Sequence, residues 1–116
     1  MQANDWAAAR TRLELCVSHY PSSSVARRLL GRAFAETGQV DRAEEELKMA
    51  VALEPRIAEH QADLGLFYLR HQRMPDGVQC LLDAFALDPT LRDRVRAVPH
   101  LFDALPDAER ARLFGT

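Results

Sequence analysis

Along the chain, apolar residues return at helical spacing in paired runs. Leu30 and Phe34 stand four apart, Ala43, Leu47 and Ala50 keep the three-to-four interval, and Leu64, Tyr68, Leu81 and Ala84 repeat the scheme further on. Each run lines one face of a helix with apolar side chains. Between the runs stand residues that end helices. Gly38 suits the left-handed conformation that stops a first helix, while Pro55 and Pro89 push the preceding residue out of the helical region and end the second. "YPSSS" at 20 to 24 closes one helix at Pro21 and offers serines to cap the next. Pro75 in "HQRMPDG" fits a first helical position, which needs no amide partner. The pattern predicts an all-α chain.

The runs are copies of one another. A shift of 34 residues brings Leu30 onto Leu64, Gly31 onto Gly65, Phe34 onto Tyr68, Ala43 onto Gly77, Leu47 onto Leu81, Ala50 onto Ala84 and Pro55 onto Pro89. Applied backwards, it brings Ala43 onto Ala9, Leu47 onto Leu13, Ala50 onto Cys16 and Pro55 onto Pro21, so the second half of the unit occurs three times. Two short helices cannot bury both of their apolar stripes alone, and stacking the next unit covers the face left over. Gly31 and Gly65 lie inside predicted helices, where glycine costs about 1 kcal/mol relative to alanine. They are therefore read, with Ala43 and Gly77, as small residues where stacked helices approach closely.

These residues resemble the tetratricopeptide repeat, a helix–turn–helix unit written W-x2-L-G-x2-Y…A-x3-F…P. The likeness covers residues 1 to about 91 and departs at the tryptophan position, held by Arg27 and Gln61, and at the second-helix phenylalanine, held by Leu47 and Leu81. It implies a right-handed α-solenoid of antiparallel helix pairs. In its register the chain is a single domain over 1–116: 1–23 the second half of a repeat, 24–57 and 58–91 full repeats, and 92–116 a degenerate repeat or capping helices. The repeat positions are Gly31, Gly65, Ala43, Gly77, Ala50, Ala84, Pro55 and Pro89.

In that register the chain starts in mid-repeat. "NDWAAARTRLELCVSHYP" is then a second helix without its partner, and its stripe of Trp6, Ala9, Leu13 and Cys16 is expected to promote self-association through residues 4–20. At the other end a 68-residue shift pairs Leu30 with Val98, Phe34 with Phe102 and Ala43 with Ala111. Pro99 takes the glycine position of this fourth copy and would cost about 3 kcal/mol inside a helix. A break is expected at Ala97 or Val98, followed by short helices around 99–104 and 107–114. Two readings of the end compete, a cap that closes the array or an excerpt from a longer one, and the unpartnered first helix favours the excerpt.

The net charge of −2, from 15 basic and 17 acidic residues spread along the chain, provides no basic stripe for a phosphate backbone. Nucleic acid is thereby excluded as a partner, including the RNA read by helical repeats with basic grooves. No run of 18 apolar residues is present, so direct membrane insertion is not expected. Fourteen of the fifteen basic residues are arginine, a bias pointing to a GC-rich bacterial genome, and the compartment stays open between cytoplasm and periplasm.

No pattern supports chemistry. The histidines His19, His60, His71 and His100 are scattered without the i, i+4 pairing of a zinc helix, so no metal or other cofactor is expected. Catalytic glycine or serine signatures are missing, and the chain is not read as an enzyme. Cys16 and His19 lie one helical turn apart, but Cys16 occupies the slot of Ala50 and Ala84, reserved for a small buried side chain. Cys80 aligns with Glu46 and Arg12, a slot that tolerates long charged groups, and is the expected reactive thiol. The acidic run in "DRAEEELK" reads as a solvated helix face, with Glu44 and Lys48 in i, i+4 relation.

What function there is comes through the resemblance. It implies a protein–protein interaction scaffold whose first helices line a concave groove for a segment of another protein. Position by position the groove comprises Val25, Arg28, Leu29, Arg32 and Glu36, then Glu59, Ala62, Asp63, Leu66, Leu69 and Arg70. Arg28 and Arg32 are expected to pair with Glu59 and Asp63, leaving a nearly neutral wall; the alternative is a polarised groove whose arginines grip a carboxylate. The lysines and asparagines with which some relatives clamp a chaperone's terminal carboxylate are missing, so a partner with apolar side chains flanked by both charges fits better. The alternative is an assembly chaperone or regulatory segment of a bacterial secretion, polysaccharide-export or transferase protein.

Overall fold

In a computed structural model, which describes residues 3–98 and 100–115, the chain is helical, with no strand among the described residues. The helices are α1 (Ala3–His19), α2 (Ser24–Glu36), α3 (Val40–Leu53), α4 (Ala58–Arg70), α5 (Met74–Leu87), α6 (Leu91–Arg96) and α7 (Asp107–Phe114). They form two compact units that part between Arg56 and Ile57.

In the first unit α2 and α3 pair, and α1 packs on α2. Their shared core is Leu30, Ala33, Phe34, Ala43, Leu47 and Ala50. The serine cap acts as expected: the Ser23 hydroxyl accepts the Ala26 N–H at 3.2 Å. Beside it the buried Ser24 hydroxyl donates to Glu54 at 2.6 Å, tying the start of α2 to the end of α3. Where α2 stops, Gly38 takes φ 82°, the Gly38 N–H bonds the Ala35 carbonyl and the Gln39 N–H bonds the Phe34 carbonyl at 2.8 Å. This is the Schellman closure, which satisfies carbonyls left over at a helix end.

The second unit closes α4 in the same way but with a different residue. Gln72, 34 positions after Gly38, stands at φ 63°, with its N–H on the Leu69 carbonyl and the Arg73 N–H on the Tyr68 carbonyl. A side chain is thus held in a conformation that glycine accepts without steric cost. The guanidinium of Arg73 lies 4.3 Å from the Tyr68 ring centroid, and pairs with Asp76 at 3.2 Å.

The small residues mark the crossing inside each helix pair, where the backbones approach closely. A Cβ on Gly31 would come 2.7 Å from Leu47 Cγ and 3.2 Å from the Ala43 carbonyl oxygen. At the α4–α5 crossing the approach is backbone to backbone: a Cβ on Gly77 would lie 2.9 Å from the Gly65 oxygen, and one on Gly65 3.0 Å from the Gly77 oxygen. The helices of a pair therefore touch along their main chains, and the propensity lost at Gly31 and Gly65 is exchanged for contacts that a side chain would forbid.

After α5, the carboxylate of Asp88 accepts from the Thr90 N–H and hydroxyl, which holds its carboxyl below the ordinary range. Helix α6 ends at Arg96, in line with the break expected at Ala97 or Val98. Pro99 itself lies outside the described residues. The helix expected at 99–104 is not formed: residues 100–104 run as turns, with His100 at φ 61°. One turn of isolated helix cannot meet its nucleation cost, and here packing of Phe102 and Leu105 sets the path instead. Helix α7 appears over 107–114 as expected.

Together α6 and α7 cover α5. Leu91, Val95, Phe102, Leu105 and Leu113 enter one core with Val78, Leu81 and Phe85. Arg96 fastens the end, donating to the Phe114 carbonyl at 2.7 Å with its guanidinium 5.0 Å from the Phe114 ring. Phe114 in turn meets Phe102 edge-on at 4.9 Å.

Two substitutions read these features in opposite directions. Gln72→Gly is expected to stabilise the protein by about 1 kcal/mol by relieving the left-handed backbone. Gly77→Ala is expected to destabilise it by about 1–3 kcal/mol by overpacking the α4–α5 crossing. Urea unfolding monitored by far-ultraviolet circular dichroism measures both.

Candidate functional site

On α2, residues 25, 28, 29, 32 and 36 follow helical spacing and share one face. Val25 is 44% exposed, Arg32 and Glu36 are exposed, and Arg28 and Leu29 are half-buried. On α4, Arg70 is exposed and Glu59, Asp63 and Leu66 are half-buried. Ala62 and Leu69 do not join them. They are 5% and 8% exposed and belong to the core of the second unit.

The cause is an exchange of sizes across the helix crossing. In the first unit Ala43 faces the crossing and Ala35 stands one repeat before Leu69. In the second, alanine is reduced to Gly77 and Leu69 fills the space, its Cγ 2.7 Å from where a Gly77 Cβ would be. The paired change, alanine to glycine on one helix and alanine to leucine on the other, is the signal in the sequence that would have assigned Leu69 to the core.

Arg32 is engaged by an aromatic ring. Its guanidinium lies 5.8 Å from the centroid of Trp6 on α1, within the range of a cation–π contact. Trp6 was expected in an unpartnered stripe with Ala9, Leu13 and Cys16. Instead α1 turns this stripe toward α2, leaving Trp6, Ala9 and Leu13 half-buried. Leu15, 60% exposed, and Tyr20, 70% exposed, are the large apolar side chains left open at α1 and its end.

The two cysteines exchange roles. Cys16 is exposed, whereas its counterparts Ala50 and Ala84 are fully buried. Cys80 is half-buried, and burial, followed by the charges of Asp83 and Asp76, raises its pKa to about 11. Its slot holds Glu46 in the first unit because Arg27 is there to neutralise it, at 3.0 Å with both side chains less than one-fifth exposed. Arg27 also donates to the Pro21 carbonyl. The second unit has Gln61 in place of Arg27, and the Cβ of Cys80 lies 3.1 Å from where a Gly65 Cβ would be.

The acidic run fans around α3, with Glu46 on Arg27, Glu44 half-buried, and Glu45 and Lys48 exposed. An open depression of about 900 Å³ beside it is lined by Arg27, Asp41, Glu44, Glu45, Glu46, Lys48, Met49 and Ala52, none of them an expected site residue. Among the described residues no three histidine, cysteine or carboxylate side chains are grouped to hold a metal ion. Among the described residues no helix is long and apolar enough to cross a membrane.

The family model described as tetratricopeptide repeat matches residues 1–64, which include all of the first unit and the start of α4. No curated protein matches the chain.

The thiol assignment gives a direct chemical readout. In the folded protein at pH 8, iodoacetamide should alkylate Cys16 first, with Cys80 roughly a hundredfold slower than an ordinary thiol because so little of it is thiolate. Peptide mapping by mass spectrometry measures the two rates, and Cys80 should accelerate as the pH is raised toward 11.

Proposed function

Because the chain belongs to the tetratricopeptide repeat family, whose repeats are protein–protein interaction modules, we propose that it is a scaffold that binds a segment of another protein on the outward face of α2, with the outward face of α4 as a separate surface of the same kind. The observation that carries the reading is the exposed row on α2, where Val25 stands 44% open beside Arg32 and Glu36. The row sets an apolar side chain beside a cation and an anion on one exposed helix face, which supports reading it as a surface for a partner. On α4 the row is Glu59, Asp63, Leu66 and Arg70, so a partner meets apolar contacts flanked by both charges. The protein acts by holding and not by catalysis, in keeping with a family of non-catalytic scaffolds. An assembly chaperone or a regulatory segment of a bacterial secretion, polysaccharide-export or transferase protein would use the same rows; the identity of the captured protein separates these roles.

The combined variant Arg28→Glu, Arg32→Glu, Leu66→Asp is expected to lose a partner that the wild-type protein captures from cell extract, with helicity by circular dichroism unchanged. Undiminished capture would move the binding surface elsewhere on the molecule.

Self-association through residues 4–20 rests on Leu15 and Tyr20, with Cys16 exposed nearby. Sedimentation velocity should show a dimer growing with concentration and lost in Leu15→Asp. A single monomer boundary at high concentration would remove this mode.

A further inference from the structure

We propose that Trp6 and Arg32 form an anchor that selects a partner segment carrying a carboxylate next to an apolar side chain. The inference rests on the reading of α2 as a docking face and specifies what that face accepts.

Trp6 reaches this face from a different helix, 26 residues away in sequence, and is half-buried beside the exposed Arg32. At 5.8 Å from the ring centroid, the guanidinium is held by its attraction for the indole face. That contact uses no N–H group. Among the described residues no carboxylate or carbonyl takes the donors of Arg32. A guanidinium positioned by a ring, with its planar fork of donors unspent, is matched to a carboxylate, which accepts two parallel hydrogen bonds. Val25 and Leu29, seven and three positions before Arg32, lie along the same helix face and supply the apolar part.

The charge of the unit selects the same sign of partner. Outside the Arg27–Glu46 pair, helices α1 and α2 together carry four arginines against three carboxylates, whereas α3 carries three carboxylates against one arginine and one lysine. An acidic segment is therefore drawn to the α1–α2 side and repelled from α3, and a basic segment the reverse. Tryptophan and arginine are also the side chains that most often dominate a protein interface once buried by a partner.

Trp6 is the only tryptophan in the chain, so its fluorescence reports on this spot alone. The full-length protein is titrated with a short end-blocked peptide alternating leucine and glutamate, and separately with its leucine–lysine counterpart. The acidic peptide should give a saturable change in Trp6 emission, weakened roughly tenfold or more in Arg32→Gln and only partly restored in Arg32→Lys, which keeps the charge but not the fork. The basic peptide should give none. Equal response to both peptides, an unaffected Arg32→Gln, or no response to either at millimolar peptide overturns the anchor. Should Arg32→Gln bind as wild type while Leu66→Asp loses the natural partner, the docking faces stand and the anchor alone fails; if neither substitution affects capture, the reading of the faces fails as well.

Discussion

The main chains of paired helices meet almost without side chains between them, and the rest of each unit depends on that contact. At the α4–α5 crossing the carbonyl of each glycine occupies space that the other's Cβ would need. Dispersion falls steeply with distance, so an approach this close lets the flanking large residues interlock instead of bridging a gap. Leu47 and Leu81 are accordingly among the most deeply buried side chains in the protein. With the inner faces consumed in this way, α2 keeps Val25, Arg32 and Glu36 exposed on its other side.

A second constraint is the exchange between ion pair and thiol at the outer edge of the crossing. Arg27 with Glu46, and Gln61 with Cys80, are alternative fillings of equivalent positions. A half-buried carboxylate requires a cation to offset its desolvation. Once the cation is gone, a small neutral group is the economical occupant, and that group becomes sluggish as a nucleophile because it has been taken from water. The raised pKa of Cys80 follows first from its burial and then from the charges of Asp83 and Asp76.

The helix pairs were legible in the sequence because their signals are local. Period, proline and glycine act within a few residues of where they stand, and α2 through α5 follow them closely, as does α7. What could not be read depends on partners distant in sequence. Leu69 looks like a groove residue until Gly77 is seen to be too small for its slot. Trp6 looks unpartnered until α1 is laid on α2. The 100–104 stretch looks helical by register, yet its path follows the burial of Phe102 and Leu105 and the left-handed backbone of His100. The shared helical spacing of residues 25, 28, 29, 32 and 36 was thus readable by position, whereas the engagement of Arg32 by an indole ring was not.

The compensated sizes at the crossing bear on how such a chain evolves. Helix α4, with Leu69, fits a partner that carries glycine; set against α3, the same leucine would meet Ala43 where its own unit has Gly77. Neither helix can be inherited separately from its mate without a clash or a void. The hairpin is therefore the smallest piece that recombination can duplicate or shuffle intact, and divergence between copies must proceed by coupled pairs of substitutions.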